Sequence, residues 1–352
     1  MTSVAGPDAE GERRSASDAA GAVVLTGCAV WAVVSAAVHG GRPEGVLLAV
    51  LAVAAGHAAG RIAGAVLPVA APGVGAVAGL ALAVAVPWLA PGAARPDAPL
   101  GHSGAVAALL ALATGAACCA AWAAAAPGVR LALRLLAAGM AVTALLLGSA
   151  IGVTACTAVL LCSLAAGRMR GRGVGLAGLA LAAALTTGTI WAVAGRALPD
   201  GLTVALEGQL TAHRVELWHD ALAMARGDAG LGVGPGRFGE LSPTVARLPL
   251  SDGKPHSAPL QQAAEQGVVG VLLLAGVYCW MLFALWRTAR PTPVALTAGA
   301  ALTALAVVAS VGNALSFTTV TAGAGLLAGL ATARPLAQGP PGSPHGVPAR
   351  QV

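Results

Sequence analysis

The stretch KPHSAPLQQAAEQGVVGVLLLAGVYCWMLFALWR, residues 254–287, changes from polar to almost wholly apolar sequence partway along its length. Its apolar part, residues 267–286, has the length of about 20 residues that an α-helix needs to cross a bilayer. Its polar part closes a longer polar segment, residues 195–266, which contains eight of the fourteen acidic residues of the chain. The stretch therefore predicts a membrane helix that is entered from a polar loop.

The composition of the whole chain is typical of a membrane protein. Of its 352 residues, 57% are hydrophobic and 10% are charged, whereas about 25% of the residues of soluble domains are charged. The net charge of +6 comes from Arg residues that stand singly or in short groups between apolar runs. This distribution indicates membrane topology rather than a nucleic-acid surface, so we expect the lipid bilayer, and no nucleic acid, as a partner.

Hydropathy predicts an all-α fold, a polytopic transmembrane helical bundle of about ten spans. One long extracytoplasmic loop, residues 195–266, contains short helices. A polar N-terminus (residues 1–19) and seven spans (20–194) precede this loop, and three spans (267–333) and a disordered tail (334–352) follow it. The predicted spans are residues 20–38, 45–60, 74–90, 103–126, 131–148, 150–166, 174–194, 267–286, 294–311 and 316–333.

Arg residues in the short loops predict the orientation in the cell membrane. Cytoplasmic loops carry an excess of Lys and Arg, whereas long loops cross the membrane largely regardless of charge. If both termini are cytoplasmic, the Arg groups of the short loops fall inside, with Arg42 and Arg95 as exceptions. The long polar loop then lies outside the membrane.

Residues 203–226 of this loop have the period of an amphipathic helix. Arg214 falls near the middle of the apolar side, and two interpretations stay open. Arg214 snorkels to lipid phosphate from an interfacial helix, or the apolar side faces the membrane domain and Arg214 meets an anionic headgroup or pyrophosphate. The apolar side holds Leu210, Leu217, Trp218, Ala221 and Ala225, and the other side holds Gln209, His213, Glu216 and Asp220.

The sequence GPGRFG, Gly234–Gly239, matches the glycine pattern of dinucleotide-binding folds. No strand precedes it and no βαβ unit surrounds it, so we interpret it as a turn. Two kinds of turn remain open. Its glycines bring backbone amides to an anion, with Arg237 beside it, or the turn only returns the chain to the membrane.

His256 lies between two prolines, just before a predicted helix that Ser257 caps and Pro259 begins. A helix N-terminus favours an anion. Gln261 and Glu265 are one turn apart and share a face of this helix. An isolated loop histidine often has no role, but one that is fixed beside a polar helix face is a candidate for chemistry.

We expect no metal, no disulfide framework and no cofactor. His213, Glu216 and Asp220 share one helix face, but no further ligand is placed near them by sequence, and a solvated face is the simpler interpretation. All six cysteines fall inside predicted spans without the paired spacing of metal ligands.

Taken in order, these motifs resemble those of the O-antigen ligase and polymerase family of bacterial membrane glycosyltransferases. The resemblance covers residues 140–286. It implies a polytopic GT-C-type enzyme that moves a glycan from an undecaprenyl-pyrophosphate carrier to a glycan, lipid or protein acceptor, without a metal. It rests on Arg214 and Trp218 of a short helix, the G-x-G-P-G-x-F turn Gly232–Phe238, His256-Ser257, Gln261, and the Glu-x-Gly-x-x-Gly motif of Glu265, Gly267 and Gly270.

The resemblance also implies roles for individual residues. His256 is the expected catalytic residue, acting on the acceptor or the leaving pyrophosphate. The sequence departs from the family where an Arg usually follows a Ser, because Ala150 follows Ser149 here. The expected substrate-binding residues are Arg214, Arg237, Gln261, Glu265 and Trp218.

A second hypothesis comes from another class of protein. A non-catalytic or transport protein for lipid-linked intermediates would keep this fold without the chemistry. A transporter places ionisable residues inside its spans, and the predicted spans hold almost none apart from His57 and Arg134. This placement favours chemistry at the outer surface.

Overall fold

A computed structural model of the chain describes residues 7–89, 101–195, 197, 212–247 and 252–334. All regular elements in these residues are helices, which confirms the all-α prediction for this part of the chain. The helices are α1 (Pro7–His39), α2 (Glu44–Val66), α3 (Ala70–Leu89), α4 (Gly101–Ala123), α5 (Pro127–Leu146), α6 (Ala150–Ala166), α7 (Arg172–Ala194), α8 (Ala212–Gly227), α9 (Phe238–Leu241), α10 (Pro243–Ala246), α11 (Ala258–Arg287), α12 (Thr292–Ser310), a short 3₁₀ helix (Ala314–Ser316) and α13 (Thr318–Thr332).

Each of the ten predicted spans coincides with one long helix, α1–α7 or α11–α13. Seven of the described helices are long and apolar enough to cross a membrane, and the chain is a multi-pass membrane protein. The other three predicted spans correspond to the shorter apolar stretches Ala70–Ala85, Ala150–Ala166 and Thr318–Thr332. The predictions for Arg95, Gln209, Leu210 and the tail from residue 335 onward lie outside the described residues.

Helices α4 and α12 form the centre of the bundle. The apolar part of α4 is completely buried and α12 is mostly buried, whereas α2, α5 and α7 expose most of their surface. Small residues make the burial of α4 and α12 possible, because Ala and Gly let the backbones of neighbouring membrane helices approach closely.

The closest helix crossing joins α2 to α13 through glycines of both helices. A Cβ added at Gly325 or Gly329 would overlap a carbonyl oxygen of α2, and one added at Gly56 or Gly60 would overlap a carbonyl oxygen of α13. Spacings of this kind recur throughout this Gly-rich sequence, so the spacing alone does not identify the crossing. The fold shows which glycines are required by close backbone contact.

Helix α11 is broken at Gly267, where φ is 65° and ψ is −163°. Only glycine adopts this conformation readily. The sequence predicts an unbroken helix from Pro259 into the span, so the break is a correction. It frees backbone carbonyls of the preceding turn, and each of these is bonded from elsewhere, as buried backbone groups require. The bonds run from the Val233 amide to the Ala264 carbonyl (2.8 Å), from the Gly234 amide to the Glu265 carbonyl (2.9 Å) and from the Trp31 indole to the Gln266 carbonyl (3.0 Å).

The described part of the polar segment has a small hydrophobic core of its own. Trp218 of α8 and Phe238 of α9 are fully buried, and they pack with Leu260 of α11 and Ile190 of α7. Helix α8 is therefore fixed against both α7 and the first half of α11.

The polar side of α8 also makes specific contacts. The Asp220 carboxylate accepts hydrogen bonds from the Ser242 hydroxyl (2.5 Å) and from the Thr244 amide (3.0 Å). The prediction that Asp220 lies on a solvated face is therefore wrong. Asp220 instead connects α8 to α10.

Candidate functional site

Arg214 is a buried cation on the side of α8 that packs against the bundle. It is 8% exposed, and no carboxylate of the described residues lies within ion-pair distance of its guanidinium. Burial lowers the pKa of Arg214, but an Arg side chain stays protonated in proteins. A buried charge without a counter-charge is costly, so the position favours an anionic ligand over the snorkelling interpretation, which needs an exposed guanidinium.

His256 has an unusual backbone conformation. Its φ is 51°, and no other described residue except glycine has a positive φ. This region costs an L-residue about 1–2 kcal/mol and is found where the surroundings impose it, often at functional sites. The His256 side chain is 13% exposed. Backbone and burial together hold the imidazole in one place before α11.

Ser257 occupies the N-cap position of α11, as the sequence predicts, but its side chain makes no capping hydrogen bond. Its hydroxyl is buried without a partner among the described residues. The capping role predicted for this side chain is therefore wrong. The start of α11 instead depends on the extended backbone of Ser257 and on Pro259 in the first turn.

The imidazole of His256 is paired with a residue that the sequence motifs do not include. Its Nε2 lies 3.3 Å from Oδ1 of Asp252, and the other carboxylate oxygen accepts a hydrogen bond from the Asn313 amide at 3.1 Å. The spacing of four residues between Asp252 and His256 was visible in the sequence. Asn313 follows α12 and reaches the pair only through the fold.

This pairing decides which nitrogen of His256 carries a proton when the ring is neutral. An ionised carboxylate only accepts, so Nε2 must donate and Nδ1 then keeps its lone pair. Nδ1 is buried and has no hydrogen-bond partner among the described residues. The assignment follows from the contacts, and it leaves Nδ1 as an acceptor without a partner among the described residues.

Several groups keep the Asp252 carboxyl ionised. Burial alone would raise the pKa of Asp252, but the hydrogen bond and charge of His256, followed by the amide and charge of Lys254, lower it below its ordinary value. A His base with an orienting carboxylate is the arrangement that nucleophilic and acid–base sites use.

Glu265 is held by the glycine turn. Its side chain is 4% exposed, and the amides of Gly236 and Phe238 donate hydrogen bonds to its carboxylate. The Gln261 amide lies 3.4 Å from Oε2 of the same group. Gln261 and Glu265 therefore share a face, as predicted. The group that the turn amides meet in this structure is the Glu265 carboxyl, and burial raises its pKa above the ordinary value although these hydrogen bonds lower it.

Arg237 and Trp218 are both part of the framework around the site. The Arg237 guanidinium donates to the His39 carbonyl at 2.6 Å and lies 3.8 Å from the Glu240 carboxylate. It thereby joins the turn to the end of α1. Trp218 lies in the small core next to Arg214 and has no exposed surface. In this arrangement the ring supports α8 and presents no face to a ligand.

The fold brings the main site residues onto adjoining elements. Helix α8, with Arg214, packs on the first half of α11 through Trp218 and Leu260, and His256 lies two residues before α11 begins. Within the described ranges, no group of three His, Cys, Asp or Glu residues is arranged to hold a metal ion. The site thus combines a buried cation with a carboxylate-paired histidine.

The family model described as O-Antigen ligase matches residues 100–275, half of the chain. The matched range includes α8, the glycine turn, the Asp252–His256 pair and the break in α11. No curated protein matches the chain.

Proposed function

Because the chain belongs to the O-antigen ligase family, we propose that it transfers a glycan from an undecaprenyl-pyrophosphate carrier to an acceptor outside the membrane. Membership of the family confirms the resemblance seen in the sequence, and it implies lipid-linked glycan substrates and a role in polysaccharide biosynthesis. Three further points are our proposals and are based on the residues of this chain: the carrier, the outward-facing site and a reaction without a metal.

The buried charge of Arg214 is the observation that carries this proposal. A pyrophosphate offers the counter-charge that the described residues do not supply. A guanidinium forms two parallel hydrogen bonds with such a group, and these bonds are stronger than neutral ones. Arg214 therefore binds the pyrophosphate and stabilises the charge that grows on it as the glycan leaves.

His256 acts as the general base in this proposal. The Nδ1 lone pair takes the proton of the acceptor hydroxyl while the hydroxyl oxygen attacks the anomeric carbon. The bond from this carbon to the pyrophosphate oxygen breaks, and the carrier pyrophosphate leaves with the electron pair. The Asp252 carboxylate stabilises the imidazolium through Nε2, at 3.3 Å. In this proposal the buried Nδ1, which has no described partner, becomes accessible to the hydroxyl when the acceptor binds.

The proposed orientation has both termini in the cytoplasm and the polar segment outside. Arg42, an exception to the rule for short loops, lies 3.3 Å from the Glu240 carboxylate of the polar segment. A positive side chain on the outer side thus has a specific partner there. The contact places Arg42 on the same side as the polar segment, and the other Arg groups predict that this side is the outer one.

The surface glycan of a deletion strain tests the proposal. Complementation with intact protein should restore the glycan, whereas His256→Ala should insert into the membrane and restore none, because the loss of a positioned base lowers rates by about 10² to 10⁴. His213→Ala is the matched control, since His213 lies on α8 outside the proposed chemistry, and it should complement.

Donor binding separates the alternatives. His256→Ala protein should still bind the lipid-linked donor, and loss of binding would make His256 a pyrophosphate ligand instead of a base. Full complementation by His256→Ala would contradict catalysis and favour the non-catalytic or transport hypothesis.

A further inference from the structure

A basic cavity of about 190 Å³ lies at the end of α11 that is remote from His256. Residues of α1 and α2 and of the C-terminal ends of α11 and α13 line it. We propose that this cavity binds the phosphate group of a membrane phospholipid. The residues that carry the inference are Asp18, His57, Arg61 and Arg287.

The charges of the cavity are not balanced within its lining. Arg61 and Arg287 contribute two positive charges, and Asp18 is the one acidic residue in the lining. The Asp18 carboxylate is already paired with Arg61, at 2.5 Å. An anion that enters the cavity therefore meets a net positive lining.

Two buried nitrogen atoms of the lining point to a ligand. Nδ1 of His57 and Nε of Arg287 are both inaccessible to solvent, and neither has a hydrogen-bond partner among the described residues. Buried polar atoms are nearly always hydrogen-bonded, so an exception requires an explanation. A phosphate offers the acceptor oxygens that an Arg Nε–H and a His N–H need.

Aromatic side chains hold both groups in place. The His57 ring packs on Trp280, with ring centroids 5.1 Å apart. The Arg287 guanidinium lies over the Phe283 ring, 5.3 Å from its centroid. These contacts limit the freedom of the two side chains beside the cavity.

Other arginines at this end of the bundle have structural partners. Arg290 donates to the Ala333 carbonyl at 2.8 Å and to the Gly64 carbonyl at 2.9 Å, and Arg172 donates to the Thr288 and Arg290 carbonyls. These two guanidinium groups join helix ends to each other. Nε of Arg287 has no such partner among the described residues, which distinguishes a binding role from a packing role.

The position of the cavity favours a lipid over a soluble phosphate. It lies between four apolar helices, beside the C-terminal ends of α11 and α13, and basic pockets between membrane helices bind lipid headgroups. The inference does not depend on glycosyl transfer, because it concerns the opposite end of α11.

Binding of short-chain phosphatidylglycerol to the purified full chain tests the inference, with native mass spectrometry as the readout. Arg287→Gln should weaken binding about tenfold to a hundredfold, the equivalent of one hydrogen bond to a charged group. Arg168→Gln is the matched control, because it removes one exposed Arg from the connection between α6 and α7, which does not line the cavity. Arg168→Gln should bind as the intact protein does.

Three further measurements define the ligand and the site. Diacylglycerol with the same chains and no phosphate should not compete, and strong competition by it would overturn a phosphate site. If inorganic phosphate shows the same dependence on Arg287, the phosphate site stands and a soluble anion is its ligand. Arg287→Lys keeps the charge and should bind better than Arg287→Gln. Equal binding by Arg287→Gln and Arg168→Gln would refute the proposal.

Discussion

Replacing Asp252 by Asn tests the catalytic arrangement most directly, because the change keeps the size of the side chain and removes its charge. The Asn313 amide donates to one oxygen of Asp252, so Asn at position 252 must turn its remaining oxygen towards Asn313. Its amide nitrogen then faces Nε2 of His256 and donates a hydrogen bond to it. The neutral imidazole must carry its proton on Nδ1, and the base loses its lone pair.

The size of the effect follows from the geometry of the pair. The Nε2–Oδ1 distance of 3.3 Å and the 40% exposure of the Asp252 side chain describe a weaker bond than the buried, charge-assisted bonds of about 2.7–2.9 Å. A hydrogen bond to a charged group contributes about 1.5–3 kcal/mol, which corresponds to a tenfold to hundredfold change in rate at about 1.4 kcal/mol per factor of ten. Asp252→Asn should therefore impair transfer by about that factor, less than His256→Ala.

The assay follows consumption of lipid-linked donor by membranes of the deletion strain that contain equal amounts of each variant. The expected change is a lower kcat with an almost unchanged KM, because Asp252 acts through His256 and touches no donor. Glu216→Gln removes an exposed carboxylate from α8 and serves as the control.

The pH dependence of the intact protein gives a second readout. The pKa of Asp252 is lowered in the folded protein, so its pairing is present above the ordinary pKa of about 3.9 and is lost only as the pH falls through the lower folded value. Loss of the pairing therefore does not account for any loss of activity between pH 5 and 8.

A kcat of Asp252→Asn within about twofold of the intact protein, or an effect confined to KM, would refute this reasoning.

Three other variants test the remaining parts of the site and fold. Arg214→Lys keeps the positive charge but loses the planar guanidinium with its two parallel donors, so donor consumption should fall about tenfold or more at unchanged expression. Full activity of this variant would favour the snorkelling interpretation instead. Gly267→Ala places a Cβ where the Gly230 carbonyl lies, at a φ of 65°. It should lower the free energy of unfolding by about 1–3 kcal/mol, measured by thermal unfolding. Its control, Gly188→Ala, has open space around the added group and should leave the melting temperature nearly unchanged. Position 246 is exposed, so Ala246→Cys should react with an impermeant maleimide in intact cells without their outer barrier. Labelling only after lysis would indicate the opposite topology.

Local sequence was sufficient for the long helices and for the burial of Arg214. Apolar length predicts the long helices, because a membrane span is specified by composition over about 20 residues. The period of residues 203–226 places Arg214 among apolar side chains, and its burial follows from that. The prolines beside His256 and the extended Ser257 likewise mark the start of α11.

The contacts that complete the site could not be predicted in this way, because they join residues that are distant in sequence. Asn313 reaches Asp252 from the end of α12, and nothing in the local pattern of either residue indicates the contact. The break at Gly267 depends on donors from Val233, Gly234 and Trp31. A glycine at this position is compatible with a straight helix until these partners are known.

The charges of the site also explain why Arg214 should be difficult to replace. The Glu265 carboxylate is satisfied by the turn amides and Gln261, and the Asp252 carboxylate is paired with His256, so each acid already has its partners within the protein. The guanidinium of Arg237 is bonded to the end of α1. The family usually supplies a further Arg after the Ser that opens its sixth span, and this chain has Ala150 there. In the proposed reaction the pyrophosphate therefore depends on Arg214 more than in a relative that has both cations, and we expect Arg214→Lys to impair this chain more than the same change would impair such a relative.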